Sequence, residues 1–145
     1  RRRIKQEMSR AGYSQVNVMG LVVCKAAYAQ GEEWLEELKT YLTGNLDFVR
    51  SFISAHMPEI RLVEPEGTYL IWLDCRALGL NDKALDELVI QRAKLWLDGG
   101  HMFGRGGSGF QRVNIACPRR YWSRRWSSLR AWCGSWRAAR ARWRS

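Results

Sequence analysis

No apolar run in this 145-residue chain approaches the roughly 18 residues that a membrane-spanning helix needs, so no membrane span is expected. No basic start precedes an apolar stretch and a small-residue cleavage site, so no secretion signal is visible. With three prolines and 13 glycines the chain is neither collagen-like nor low-complexity. The four cysteines, Cys24, Cys75, Cys117 and Cys133, are far apart and form no C-x-x-C pair. Zinc sites and redox pairs need close ligand pairs. The expected state is therefore reduced, buried thiols in a cytosolic protein. His56 and His101 are too few and too scattered for a ligand set. Position 1 is Arg rather than Met, which points to a processed chain or a fragment.

What is present divides in two. The net charge of +10 suggests a nucleic-acid footprint, yet residues 1–118 carry 15 Lys and Arg against 14 Asp and Glu. Residues 119–145 carry nine Arg, no Lys and no acid, together with five of the eight tryptophans: Trp122, Trp126, Trp132, Trp136 and Trp143. The body is an ordinary balanced domain, 46% hydrophobic over the whole chain, and the tail is a different chemical object. An Arg/Trp-interleaved tail can bind RNA, DNA or an anionic surface, because cations meet phosphates while indoles stack. That is the alternative function for this chain, expected to be adventitious and salt-sensitive.

Along the body, residues 1–10 are basic and helical in pattern, and Gly12 to Asn17 breaks the run. Val18 to Ala29 is apolar and Ala-rich, which predicts a well-buried helix. Glu32 and Glu33 open the next helix, where acids complement the dipole. Leu35, Leu38, Leu42, Val49 and Ile53 then mark one face of a long helix ending at Met57-Pro58. Gly44 inside it suggests a bend. Ile60 to Glu64 reads as a short strand, Glu64 to Gly67 as a turn with solvated acids, and Thr68 to Cys75 as a central strand apolar on both faces. Asn81 or Asp82 caps a helix with Leu85, Leu88 and Val89 inward. Leu95 to Leu97 is a short strand or extended segment. Residues 99–109 hold six glycines in a turning loop, and Phe110 to Ala116 is a last strand. The order predicts an α+β layer, a small sheet with helices packed on it.

The glycine loop lacks the GK[ST] and following helix of a phosphate loop, so close backbone approach is its expected role. No nucleophile constellation stands out, and Asp74 reads as a cap or ion-pair partner. Arg112 is different. In Phe110-Gln111-Arg112-Val113-Asn114-Ile115-Ala116, Val113 and Ile115 share one face while Arg112 and Asn114 share the other. A guanidinium in so apolar a strand needs a partner. Its planar fork suits a carboxylate, either of an internal Asp or Glu or of a small ligand.

Three stretches then carry a family signature: VNVMGLVVCKAAYAQGEEWLEELKTYLTGNLDFVRSFI (16–53), EPEGTYLIWLDCR (64–76) and FGRGGSGFQRVNIACPR (103–119). In order and spacing the body resembles the C-terminal part of the pyridoxal-phosphate (PLP) dependent class I/II aminotransferases of fold type I, closest to the cystathionine β-lyase branch of bacterial C–S lyases. The resemblance implies that residues 1–30 are the end of a large domain and the start of a linking helix, residues 31–119 the small C-terminal domain, and 120–145 an aberrant tail. It implies a homodimer in the cytoplasm and an amino-acid substrate whose α-carboxylate is held by Arg112. It also implies α,β-elimination to pyruvate, ammonia and a thiol. The family's Schiff-base lysine lies upstream of what is present here, so Lys25, Lys39, Lys83 and Lys94 are not candidates for it. The expected fragment is inactive alone, with no catalytic, cofactor-binding or metal-binding residue of its own and no specific nucleic-acid partner.

The family continues beyond its Pro-Arg with an amphipathic helix, whereas this chain continues RYWSRRWSSLRAWCGSWRAARARWRS. A reading-frame shift after Pro118-Arg119 accounts for the change. Tyr121-Trp122-Ser123 written TAC-TGG-AGC contains CTG-GAG, Leu-Glu. Arg125-Trp126-Ser127 written CGG-TGG-AGC contains GTG-GAG, Val-Glu. Leu and Val four residues apart restore a helical stripe. Loss of the covering helix would expose the sheet and lower solubility.

Overall fold

The structure, a computed structural model, describes residues 1–13, 16–120, 126 and 130. Two units divide between Thr40 and Tyr41. In the first, helix α1 (Arg2–Arg10) is basic and exposed throughout. Helix α2 (Val18–Gln30) starts where the Asn17 side chain accepts from the Gly20 amide at 2.6 Å, an N-cap that satisfies one orphan N–H. The helix is apolar on all sides, a pattern that normally means burial. None of its residues is buried, and Tyr28 is 91% exposed. The expectation of a well-buried helix is therefore corrected: composition calls for a covering surface, and the described residues supply none. Cys24 lies on it and is exposed, which also corrects the expectation of buried thiols there. Cys75 is buried and Cys117 half-buried, while Cys133 falls outside the described residues.

Helix α3 (Glu32–His56) begins in the first unit with Glu32 and Glu33 in its first turn. Its stripe takes effect only as it proceeds. Leu35 is exposed, Leu42 and Leu46 are half-buried, and Val49 and Ile53 are closed off. The helix stops at His56, before Met57-Pro58, because proline's ring disfavours the α region in its predecessor. It runs unbroken through Gly44. A methyl there would overlap Arg119 Nη2.

In the second unit, β1 (Arg61–Val63), β2 (Leu70–Asp74), β3 (Asp98–Gly99) and β4 (Phe110–Asn114) form an antiparallel sheet in the order β1-β2-β4-β3 among the described residues. One face is buried: Ile71 and Leu73 of β2, then Gln111 and Val113 of β4 with Ile115 just beyond. They pack with Val49, Ile53 and Met57 of the α3 region and with Leu85, Leu88 and Val89. Asn81 caps helix α4 (Asp82–Glu87), its side chain accepting from the Ala84 amide at 2.9 Å, and a π turn over Leu88–Arg92 follows. The opposite sheet face carries half-exposed Trp72, so β2 is buried on one side rather than both.

Of the two readings of Leu95–Leu97, short strand or extended segment, the strand does not form there and lies just beyond, at Asp98–Gly99. Leu95 and Leu97 are held instead by partial burial against the core, and the Leu95 amide bonds Val89 O at 2.9 Å. The glycine loop closes tightly. Gly100 and Gly107 pass so near that a side chain on either would strike the other's carbonyl, which only glycine tolerates. Glu64 is not merely solvated: Arg50 donates to it from Nε at 3.0 Å and Nη2 at 2.8 Å. The tail reaches the core at one described point. Trp126 is 1% exposed within the hydrophobic cluster and meets Phe52 edge-on at 5.6 Å. The sheet and helix core therefore has an indole where no covering residue was expected.

Candidate functional site

Period-two alternation puts Arg112 on the half-open face of β4, opposite the buried Val113. Register then builds a transverse row across all four strands. Val63 faces Trp72, Trp72 faces Arg112, and Arg112 faces Asp98. The chain order of these four residues gives no hint of the row, because the sheet order brings β4 between β2 and β3.

Arg112 donates from Nε at 3.1 Å and Nη2 at 2.7 Å, both to the same oxygen of Asp98, Oδ2. The guanidinium carbon stands 4.4 Å from the centroid of Phe103, a cation–π distance. Phe103 also meets Trp72 edge-to-face at 5.4 Å. The Arg112 side chain is 27% exposed and that of Asp98 42%. The internal partner that the sequence left open is therefore Asp98. Both its bonds use one side of the guanidinium fork, and Nη1 makes no hydrogen bond among the described residues. Beside the row lies an open cleft of about 320 Å³ lined by Val63, Trp72, Phe103, Phe110 and the Gly106-Gly107 backbone.

The loop that supplies Phe103 is pinned by helix α4. Asp82 accepts from the Gly109 amide and from Ser108 Oγ, each at 2.9 Å. These bonds hold its carboxyl below the usual carboxylate range. Asp86 accepts from Gln111 Nε2 at 3.0 Å and lies 3.8 Å from His101 Nε2. Asp74 behaves as an ion-pair partner, as its place at a strand end suggested. Arg76 donates to it from Nε at 2.9 Å and Nη2 at 2.7 Å, which lowers its carboxyl.

Sequence reading singled out Arg112 but not Asp98, Trp72 or Phe103, which the structure places beside it. Trp72 and Arg112 could have been paired from their shared outward parity, but Asp98 sits in a two-residue strand too short to carry a period. No group of three His, Cys, Asp or Glu able to hold a metal occurs among the described residues. No helix among them is long and apolar enough to cross a membrane. The Arg/Trp tail as a binding surface falls outside the described residues, apart from Arg120, Arg130 and the core-buried Trp126.

No family model matches the chain. It is 35% identical over 117 residues to cystathionine beta-lyase PatB of Bacillus subtilis, a match covering 81% of this chain and 30% of that protein. It is 40% identical over 110 residues to protein MalY of Escherichia coli, covering 76% and 28%. Cystalysin from Treponema denticola, whose crystal structure contains pyridoxal 5'-phosphate, superposes with a TM-score of 0.76 at 33% identity, over 90% of this chain and 33% of that one. The fold and the sequence together are those of the PLP-dependent fold type I enzymes, which include the aminotransferases and C–S lyases. Within that class the chain belongs with the cystathionine β-lyases. It spans about 30% of the length of the curated relatives it matches.

The residues present do not by themselves fit the class's cofactor. In the second unit Lys83 and Lys94 are exposed, and neither stands in the row around Arg112. What the second unit offers is a cation beside an aromatic cleft.

Proposed function

We propose that this chain is the carboxylate-gripping part of a PLP-dependent carbon–sulfur lyase of cystathionine β-lyase type, in which Arg112 binds the α-carboxylate of the amino-acid substrate. The observation that carries the reading is the half-open guanidinium of Arg112, held on one edge by Asp98 and unengaged at Nη1. A carboxylate docked there is fixed in direction, which orients the rest of the amino acid for elimination of its β-thiolate to pyruvate and ammonia. The chain alone is inactive in this reading. Residues 1–30 join a large domain that carries the lysine, residues 31–119 form the small domain, and the intact enzyme is a cytoplasmic homodimer.

Replacing the matching segment of the B. subtilis relative with residues 1–119 of this chain tests the reading. The chimera is expected to release pyruvate from cystathionine, and Arg112→Ala to lower kcat/KM about 100-fold. An unchanged kcat/KM in that variant removes Arg112 from the role. Added PLP should give no stable stoichiometric yellow complex with the 145-residue chain alone, and such a complex would contradict the assignment of inactivity.

The same reading takes residues 120–145 as the product of a shifted frame. The nucleotide sequence decides: a shifted frame that encodes no apolar-periodic helix ends the idea.

A further inference from the structure

We infer that Asp98 and Phe103 are positioning residues that aim Arg112 at an incoming carboxylate; the inference rests on the reading of Arg112 just given. An arginine on a half-open sheet face has many rotamers, and each contact it makes with a ligand must first overcome that freedom. Two anchors remove it here. Asp98, opposite in register on the edge strand, takes the Nε and Nη2 hydrogens through a single oxygen at 3.1 and 2.7 Å. Phe103 lies against the guanidinium at 4.4 Å. One anchor fixes the edge and the other fixes the plane.

Both anchors are themselves held. Phe103 is braced by the edge-to-face contact with Trp72 at 5.4 Å. Its loop is closed by the Gly100–Gly107 approach and tied to α4 by Asp82. What remains of the fork is its far end, Nη1 with the outer hydrogen of Nη2. That end presents two parallel N–H groups to one carboxylate, the geometry of a bidentate pair.

The Asp98 charge has an opposing effect. It repels a second carboxylate, so a residue that only neutralised Arg112 would weaken ligand binding. Positioning and masking therefore predict opposite orders for two variants. Asp98→Asn keeps a side-chain acceptor and loses the charge. Asp98→Ala loses both.

The test uses the 145-residue chain labelled with ¹⁵N, with sodium acetate as the probe and sodium chloride as the ionic-strength control. The Arg112 Nε–H resonance is assigned by its disappearance in Arg112→Lys. Acetate is expected to shift that resonance in the wild type. Asp98→Asn should bind acetate at least as tightly as the wild type. Asp98→Ala should bind roughly fivefold more weakly than Asp98→Asn, from the rotamer freedom restored to the arginine. Phe103→Ala should also weaken binding, with Phe103→Leu between it and the wild type. The methyl resonances of Val113 and Ile115 report whether each variant is folded, and Asp98→Ser replaces Asp98→Ala if the latter is not. Equal or tighter acetate binding by Asp98→Ala than by Asp98→Asn overturns the inference and leaves Asp98 as a mask. A wild-type resonance that is sharp but blind to acetate ends the carboxylate reading itself, and positioning with it.

Discussion

Helix α2 and strand β2 are both apolar runs, yet α2 buries no residue while β2 closes off Ile71 and Leu73. The difference lies in what each finds to pack against. β2 has β1 and β4 beside it and the Val49–Ile53 face of α3 beneath it. In α2, Val18, Leu21, Val22 and Val23 remain 56 to 72% exposed. Apolar area stabilises only when it leaves water, so equal hydrophobicity in sequence produces a core in one unit and an uncovered surface in the other. The curated relatives are about three times as long as the matched segment.

The contrast breaks most easily at the core. Trp126→Ala removes a nearly fully buried indole from the cluster around Phe52 and should cost about 3–5 kcal/mol of unfolding free energy. Val22→Ala on α2 removes exposed methyl groups and should change stability by less than about 0.5 kcal/mol. Urea denaturation of the two variants measures both. A comparable loss in the two would mean that α2 is covered after all, and no loss at Trp126 would detach the tail from the core.

A smaller effect sharpens the comparison from the polar side. Asn45 is 1% exposed inside the α3 stripe. Its Nδ2 donates to Ile115 O at 2.9 Å and Cys117 O at 3.2 Å, and its Oδ1 accepts from Arg119 Nε at 3.2 Å. It stitches the chain after β4 to the helix and satisfies carbonyls that have left the ladder. Asn45→Ala removes the donor to Ile115 O, while Cys117 O keeps the Tyr41 hydroxyl at 3.5 Å, and should cost about 1–3 kcal/mol. Faster hydrogen exchange near Ile115 and Cys117 should accompany it, with α2 unaffected. Unchanged exchange there would mean that water replaces the amide without loss.

Legibility in the sequence followed periodicity. The α3 stripe, the Asn81 cap and the alternation of β4 are written in spacings of three to four or of two, and each side of Arg112 could be assigned from its neighbours alone. Asp98, Phe103 and Asn45 carry no such signal. Asp98 lies in a strand of two residues, Phe103 in a loop shaped by glycine, and Asn45 in a helix position where polarity reads as exposure. Their roles come from register and from contacts distant in sequence. The burial of α2 was misread for the complementary reason: hydrophobicity tells what a segment needs, and the covering surface is another segment's property.

The smallest expected effect concerns acid. Asp82 is held below the usual carboxylate range by the Gly109 amide first and the Ser108 hydroxyl second. Its folded pKa is thus lower than its unfolded value of about 3.9. The ionised form is favoured by folding, so the contribution is complete above that unfolded value and disappears as pH falls through the lower folded one. As pH falls below about 4 the glycine loop should loosen before the core does. Exchange of the Gly109 amide, measured against core amides such as that of Val113, is the readout. Asp82→Asn should loosen the loop at neutral pH and flatten its response to acid. The same acid dependence in Asp82→Asn as in the wild type would move the clamp to another carboxylate.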